Sequence, residues 1–150
     1  MKKTFAILLA VLLAGMGATL SAWAGEPRKI AITLDDMLRI HPDHITAKAG
    51  ETVDFVVHNQ RQVPHEFVIG NAKELDEHAL EMQNMSGMDM ASMPASKSKS
   101  KQEKGVELVD VEPGKTGHLI YHFKKAGTLS FACLYPGHRE AGMKGTITVK

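Results

Sequence analysis

The sequence predicts an all-β fold, a sandwich or barrel rich in antiparallel pairs. Two observations carry this: several short runs alternate apolar with polar residues between Gly, Pro and Asn turns, and no long helical stretch lies among them. A third feature qualifies it, because from about residue 71 to 105 the alternation disappears.

Taken in order, Lys29 to Leu34 alternates first, and a strand near His44 to Lys48 follows. Ala49-Gly50-Glu51 then turns the chain into Glu51 to His58, with Val53, Phe55 and Val57 on one face against Thr52, Asp54 and His58. After Pro64, a strand from His65 to Ile69 puts His65, Phe67 and Ile69 on one face and Glu66 and Val68 on the other. His65 therefore points the way the core residues point. Leu119, Tyr121 and Phe123 alternate with His118, Ile120 and His122; Leu129, Phe131 and Cys133 alternate with Ser130 and Ala132; Lys144 to Lys150 closes the set.

In the interruption, Ala72 to Met85 fits a short helix, and Gly87 to Gly105 is rich in Met, Ser and Lys without apolar periodicity. It reads as one inserted, partly helical or disordered excursion within a single domain of residues 25–150, and Ser96 to Lys101 reads as a solvated linker.

At the front, basic Lys2 and Lys3, an apolar Ala-rich run from Phe5 to Leu20, and the small-x-small Ala22-Trp23-Ala24 form a cleavable secretory signal over residues 1–24. The run is broken by Gly15 and Gly17 and is shorter than the ~20 residues of a membrane span, so no stable membrane insertion of the mature chain is expected. Loss of Lys2 and Lys3 leaves 16 basic against 17 acidic residues, a net charge of about −1 with no basic stripe for nucleic acid. In a bacterium, such a signal sends the chain to the periplasm.

Export makes the single cysteine conspicuous. Cys133 has no internal disulfide partner, and a lone thiol in an oxidising compartment is either buried as a small hydrophobe or put to use. Its neighbourhood points to use: Cys133-Leu-Tyr-Pro-Gly-His138-Arg-Glu-Ala-Gly-Met143 spaces a thiol, an imidazole and a thioether five residues apart. Stretched out, five residues span roughly 16 Å, so the chain must fold back between them. Tyr135-Pro136-Gly137-His138 supplies a turn, with Pro at its second position and Gly at its third, and Gly142 permits another bend before Met143. With inward-facing His65 from a neighbouring strand, two nitrogens, one thiolate and one weak thioether converge. That donor set suits a mononuclear electron-transfer copper centre, while zinc, the structural alternative, seldom takes a thioether.

The chain resembles the cupredoxin family, and within it the small periplasmic cupredoxins associated with copper tolerance. The resemblance rests on Ala49-Gly50-Glu51-Thr52-Val53, Pro64-His65-Glu66-Phe67-Val68-Ile69-Gly70, the stretch from Pro113-Gly114 to Ala126-Gly127, and Phe131-Ala-Cys133 through Gly142-Met143-Lys144-Gly145. It implies a Greek-key β-sandwich with a type 1 copper near one end, His65 on a loop between strands, and Cys133, His138 and Met143 on the last loop. One departure is Glu66, where many cupredoxins place an Asn that ties the two ligand loops together.

Five of the nine methionines, Met82, Met85, Met88, Met90 and Met93, fall within twelve residues that lack a core pattern. Thioethers bind Cu(I) where cysteines would oxidise, and His78 lies one helical turn before Met82, so these six form a candidate second copper site. The competing reading makes Leu75, Ala79 and Met82 the apolar face of a short helix. The remaining histidines read as exposed polar residues; His118 and His122 share a face but stand about 13 Å apart, too far for one ion.

The expected function is copper handling in the cell envelope, by binding or oxidising Cu(I); the alternative is a diffusible electron carrier that docks on a redox partner protein. No independent catalytic role is expected, since multicopper enzymes need further His-x-His pairs and the sequence has none.

Overall fold

A computed structural model describes residues 26–85, 100–103 and 105–150. The predicted signal, most of the Met-rich segment including Met88, Met90 and Met93, and the side chain of Met85 lie outside the described residues. Among the described residues no helix is long and apolar enough to cross a membrane.

The described residues form ten strands and one helix in the order β1 (Arg28–Leu34), β2 (Ile40–His41), β3 (His44–Ala47), β4 (Thr52–Asn59), β5 (His65–Gly70), α1 (Ala72–Met85), β6 (Ser100–Glu103), β7 (Val106–Val111), β8 (Thr116–His122), β9 (Gly127–Ala132) and β10 (Lys144–Val149). They form two sheets, ordered β2-β1-β4-β8 and β3-β10-β9-β5-β7-β6. The expected sandwich is present. Most pairs are antiparallel, but β1 runs parallel to β4 and β3 parallel to β10.

The alternation seen in the sequence decides which side chains meet between the sheets. Val53, Phe55 and Val57 from one sheet face Phe67, Ile69, Val109 and Phe131 from the other, in one continuous buried core. Phe67 stands between Phe55 and Phe131, with ring centroids 5.5 and 5.2 Å apart, in the tilted arrangements aromatic quadrupoles favour.

Strand β5 departs from the half-buried pattern: all six of its residues are buried. Helix α1 is the cause. It lies on the outer face of the six-stranded sheet, where Leu75 and Ala79 pack with Val68, Val106, Leu108, Ala132 and Leu134. Asn71 and Glu74 start the helix as a reciprocal capping box: the Glu74 N–H donates to Asn71 Oδ1 (3.0 Å), and the Asn71 N–H to Glu74 Oε2 (2.7 Å).

The end of the expected linker is ordered too. Ser100–Glu103 pairs antiparallel with β7 as an edge strand, with all four side chains exposed. A strand with no buried face shows no alternation, which is why its sequence reads as a linker.

Candidate metal centre

Three of the predicted ligands meet at one end of the sandwich. His65 opens β5, Cys133 directly follows β9, and the two strands are hydrogen-bonded neighbours. His65 thus stands on the first residue of a strand, where the resemblance implied a loop. The third, His138, is carried on the loop between β9 and β10.

That loop folds as its residue types require. The His138 N–H donates to the Tyr135 carbonyl (3.0 Å), closing a turn with Pro136 second and Gly137 third at φ 83°. This is the type II geometry, whose third position favours Gly. The Met143 N–H then donates to the His138 carbonyl and the Cys133 N–H to the Met143 carbonyl, both at 3.0 Å. Gly142, at φ 111°, makes the last bend. The Met143 side chain is fully buried in the main core.

Cys133 Sγ lies 3.6 Å from His65 Nδ1 and 3.3 Å from His138 Nδ1. The imidazole centroids are 4.8 Å apart. The three donor atoms all lie within 4.8 Å of one another, which among the described residues is true of no other His, Cys, Asp and Glu group. For bonds of about 2.0 Å to imidazole and about 2.3 Å to thiolate, a trigonal plane has sulfur–nitrogen edges of about 3.7 Å. The observed edges are slightly tighter, so the three donors fit one ion.

The surroundings keep these donors neutral until a metal arrives. Burial, with the neighbouring His138 and the Arg61 cation, pushes His65 down to about 4. Burial and Arg61 lower His138 in the same direction. Burial, and secondarily the charge of Glu66, pushes the Cys133 thiol up to about 12. A metal must therefore displace the thiol proton, whereas both imidazole lone pairs are free at neutral pH. His65 Nε2 is buried without a hydrogen-bond partner among the described residues, whereas Nδ1 faces the Cys133 sulfur.

Residues outside the motif hold the ligand loops. Glu66 Oε1 accepts from the buried Leu134 N–H at 2.9 Å, so the carboxylate, at the position where the resemblance implied an Asn, joins the β5 side of the site to the residue after Cys133. Asn59, fully buried, donates from Nδ2 to the carbonyls of Val63 (2.8 Å) and Val111 (2.9 Å) and accepts from the Arg61 N–H (2.8 Å), shaping the approach to His65. Its signal was available: in β4 it continues the inward series Val53, Phe55, Val57, and a polar side chain on a core face needs a purpose.

The other candidates are not gathered here. His78 is buried on α1 and faces Glu66. His118 and His122 point outward on β8, bonded through Nδ1 to Asp54 and Thr52.

A two-sheet sandwich with a His₂Cys cluster where strand ends meet a long turn is the architecture of a cupredoxin. The chain belongs to the copper binding proteins of the plastocyanin/azurin family, which matches residues 29–150. It is similar to the copper-resistant cuproprotein CopI of Rubrivivax gelatinosus, with 39% identity over 85% of this chain and 69% of that protein. The CopI of Pseudomonas aeruginosa is 41% identical over 85% of this chain and 78% of that protein. Among solved structures, reduced auracyanin from Roseiflexus castenholzii superposes with a TM-score of 0.65 at 25% identity, covering 84% of this chain and 99% of its own. Copper is thus the metal this fold binds, and the His65, Cys133 and His138 cluster fits a type 1 site.

Proposed function

We propose that the chain is an exported copper-handling protein of the cell envelope that binds one copper ion in a type 1 centre made by His65, Cys133, His138 and Met143. It contributes to copper tolerance by binding Cu(I) or accepting an electron from it. The observation that carries this reading is the convergence of two imidazole nitrogens and one thiol within 4.8 Å on a copper-binding scaffold. The naming of its relatives as copper-resistant cuproproteins supports the biological role.

The bound copper would supply one-electron redox chemistry. The chain supplies a donor set fixed by β5, β9 and the closing turn, so that little needs to move between oxidation states. The methionines from Met82 to Met93 are proposed to collect additional Cu(I), with periplasmic export by the predicted signal placing both in the compartment where copper enters.

Cu(II) added to the purified mature protein tests the centre. Strong thiolate-to-copper absorption that vanishes in Cys133→Ser is expected; weak absorption indifferent to that substitution would sink the four-ligand assignment.

A further inference from the structure

The helix between β5 and β6 reaches the metal end of the protein at two points. On its exposed side Asp76 pairs with Arg139, 2.7 Å away on the ligand loop. On its buried side His78, 5% exposed, directs Nε2 to Glu66 Oε2 at 3.7 Å, an ion contact beyond hydrogen-bond length. Glu66 is itself 2% exposed and uses its other oxygen on the Leu134 N–H.

The charge balance of this buried patch is informative. A carboxylate removed from water is costly unless a positive partner or hydrogen bonds compensate it. Among the described residues, Glu66 has the Leu134 N–H as donor and His78 as cation candidate. Among the described residues, the charged groups that face His78 are acidic: Glu66 from β5, Glu81 at 4.0 Å from its own helix, and Glu103 from β6. Glu66 foremost raises the His78 pKa, which supports a charged ring.

We propose that His78 is a positioning residue of the copper centre: from the outer face of the sheet it holds the Glu66 carboxylate, which in turn fixes the Leu134 amide and so the backbone that leaves Cys133. The assignment rests on the copper centre proposed above, and it gives α1 a part in that centre that a merely covering helix would not have. The chain of contacts runs His78, Glu66, Leu134 N–H, Cys133. The Asp76–Arg139 pair is the outer and lesser grip, since Asp76 is well exposed and such pairs are worth little.

Removing His78 strands a buried carboxylate, and neutralising Glu66 removes the need for His78. Three variants separate this from simple packing: His78→Leu, Glu66→Gln, which retains an acceptor oxygen, and the two combined. Hydrogen exchange of the Leu134 amide is measured in the copper-free proteins, relative to a core amide such as Phe55. His78→Leu is expected to accelerate Leu134 exchange about tenfold, as the Leu134 N–H loses its hold on the unanchored Glu66 carboxylate. The combined variant is expected to recover to within about threefold of the parent. Copper-loaded samples are expected to follow, with altered relative charge-transfer intensities in His78→Leu and a near-parental spectrum in the combined variant. Should His78→Leu not fold, His78→Ala, which likewise carries no donor or charge, provides the same comparison.

Unchanged Leu134 exchange without His78, or loss of protection that Glu66→Gln does not repair, would overturn the assignment. The exchange measurement needs no copper. Failure of the copper centre itself would appear separately, as absent thiolate absorption in the parent protein.

Discussion

The Cys133 amide donates to the Met143 carbonyl at 3.0 Å, so the ligand loop is closed by a backbone bond at its base. The next pair outward, Ala132 with Lys144, belongs to the β9–β10 ladder, and the bond extends that ladder into the site. Met143 is consequently held by backbone, whatever its side chain binds. Met143→Leu, which conserves apolar volume, is expected to cost the metal-free protein less than about 1.5 kcal/mol in denaturant unfolding. Thiolate-to-copper absorption should persist in it with changed band intensities and a shifted reduction potential, because on the proposed assignment only a weak thioether ligand would be lost. Full loss of the absorption would show that Met143 does more than tune the site.

The thiol should be inert until metal binds. Cys133 is fully buried and its pKa is pushed up to about 12, so the reactive thiolate is scarce at neutral pH. We expect the native metal-free protein to resist a thiol reagent at pH 8 and to react stoichiometrically once unfolded. Copper binding at pH 7 should release about one proton per ion, read by a pH indicator in weak buffer. Rapid labelling of the native protein would mean that the loop opens readily.

The fold and the ligand motif were legible in the sequence for separate reasons. Strands such as Thr52–Asn59 write their burial as alternation because one face meets the core, and the turn at Pro136-Gly137 is written in residue types that few other conformations favour. Glu66 was legible only as a departure. That its two oxygens join the Leu134 amide and His78 depends on a helix crossing the outer face of β5, and no local pattern reports which helix covers which sheet. Ser100–Glu103 was silent because an exposed edge strand has no buried side to mark it.

Acid should weaken the metal-free fold through His65. Its folded pKa of about 4 lies below the unfolded value of 6.5, so between these values the unfolded chain binds more protons and stability rises with pH. The contribution is complete above about pH 6.5 and is lost progressively down to about pH 4, amounting to about 3 kcal/mol. His138 acts in the same direction. His78 is raised, so its contribution is present below pH 6.5 and fades as pH rises through its own higher value. Unfolding curves from pH 4 to 7 for the parent and His65→Gln should therefore diverge in slope, the variant being flatter. Parallel curves would mean that His65 is not held neutral by burial.

Asn59 should matter to both stability and metal binding although it touches no metal. Asn59→Ala leaves the carbonyls of Val63 and Val111 without their donor and frees the segment that leads to His65. At about 1–1.5 kcal/mol for each lost bond, a cost of about 2–3 kcal/mol is expected, with copper affinity reduced in parallel. A loss below about 1 kcal/mol, measured by denaturant midpoint, would show that water or a shifted loop replaces the amide.

The methionine segment should be separable from the main centre. Met82 and Met85 lie in α1, and Met88, Met90 and Met93 follow it in sequence before β6, whereas the three clustered donors come from β5 and the β9–β10 turn. Replacing Met82, Met85, Met88, Met90 and Met93 together is expected to leave thiolate-to-copper absorption unchanged and to lower the Cu(I) taken up per chain, measured by competition with a chromogenic Cu(I) chelator. Thioethers are soft enough to compete for Cu(I) but contribute little to Cu(II), so Cu(II) stoichiometry should stay at about one. Loss of the main absorption would instead place a segment methionine in the first site, and unchanged Cu(I) uptake would reduce the segment to a connection between α1 and β6.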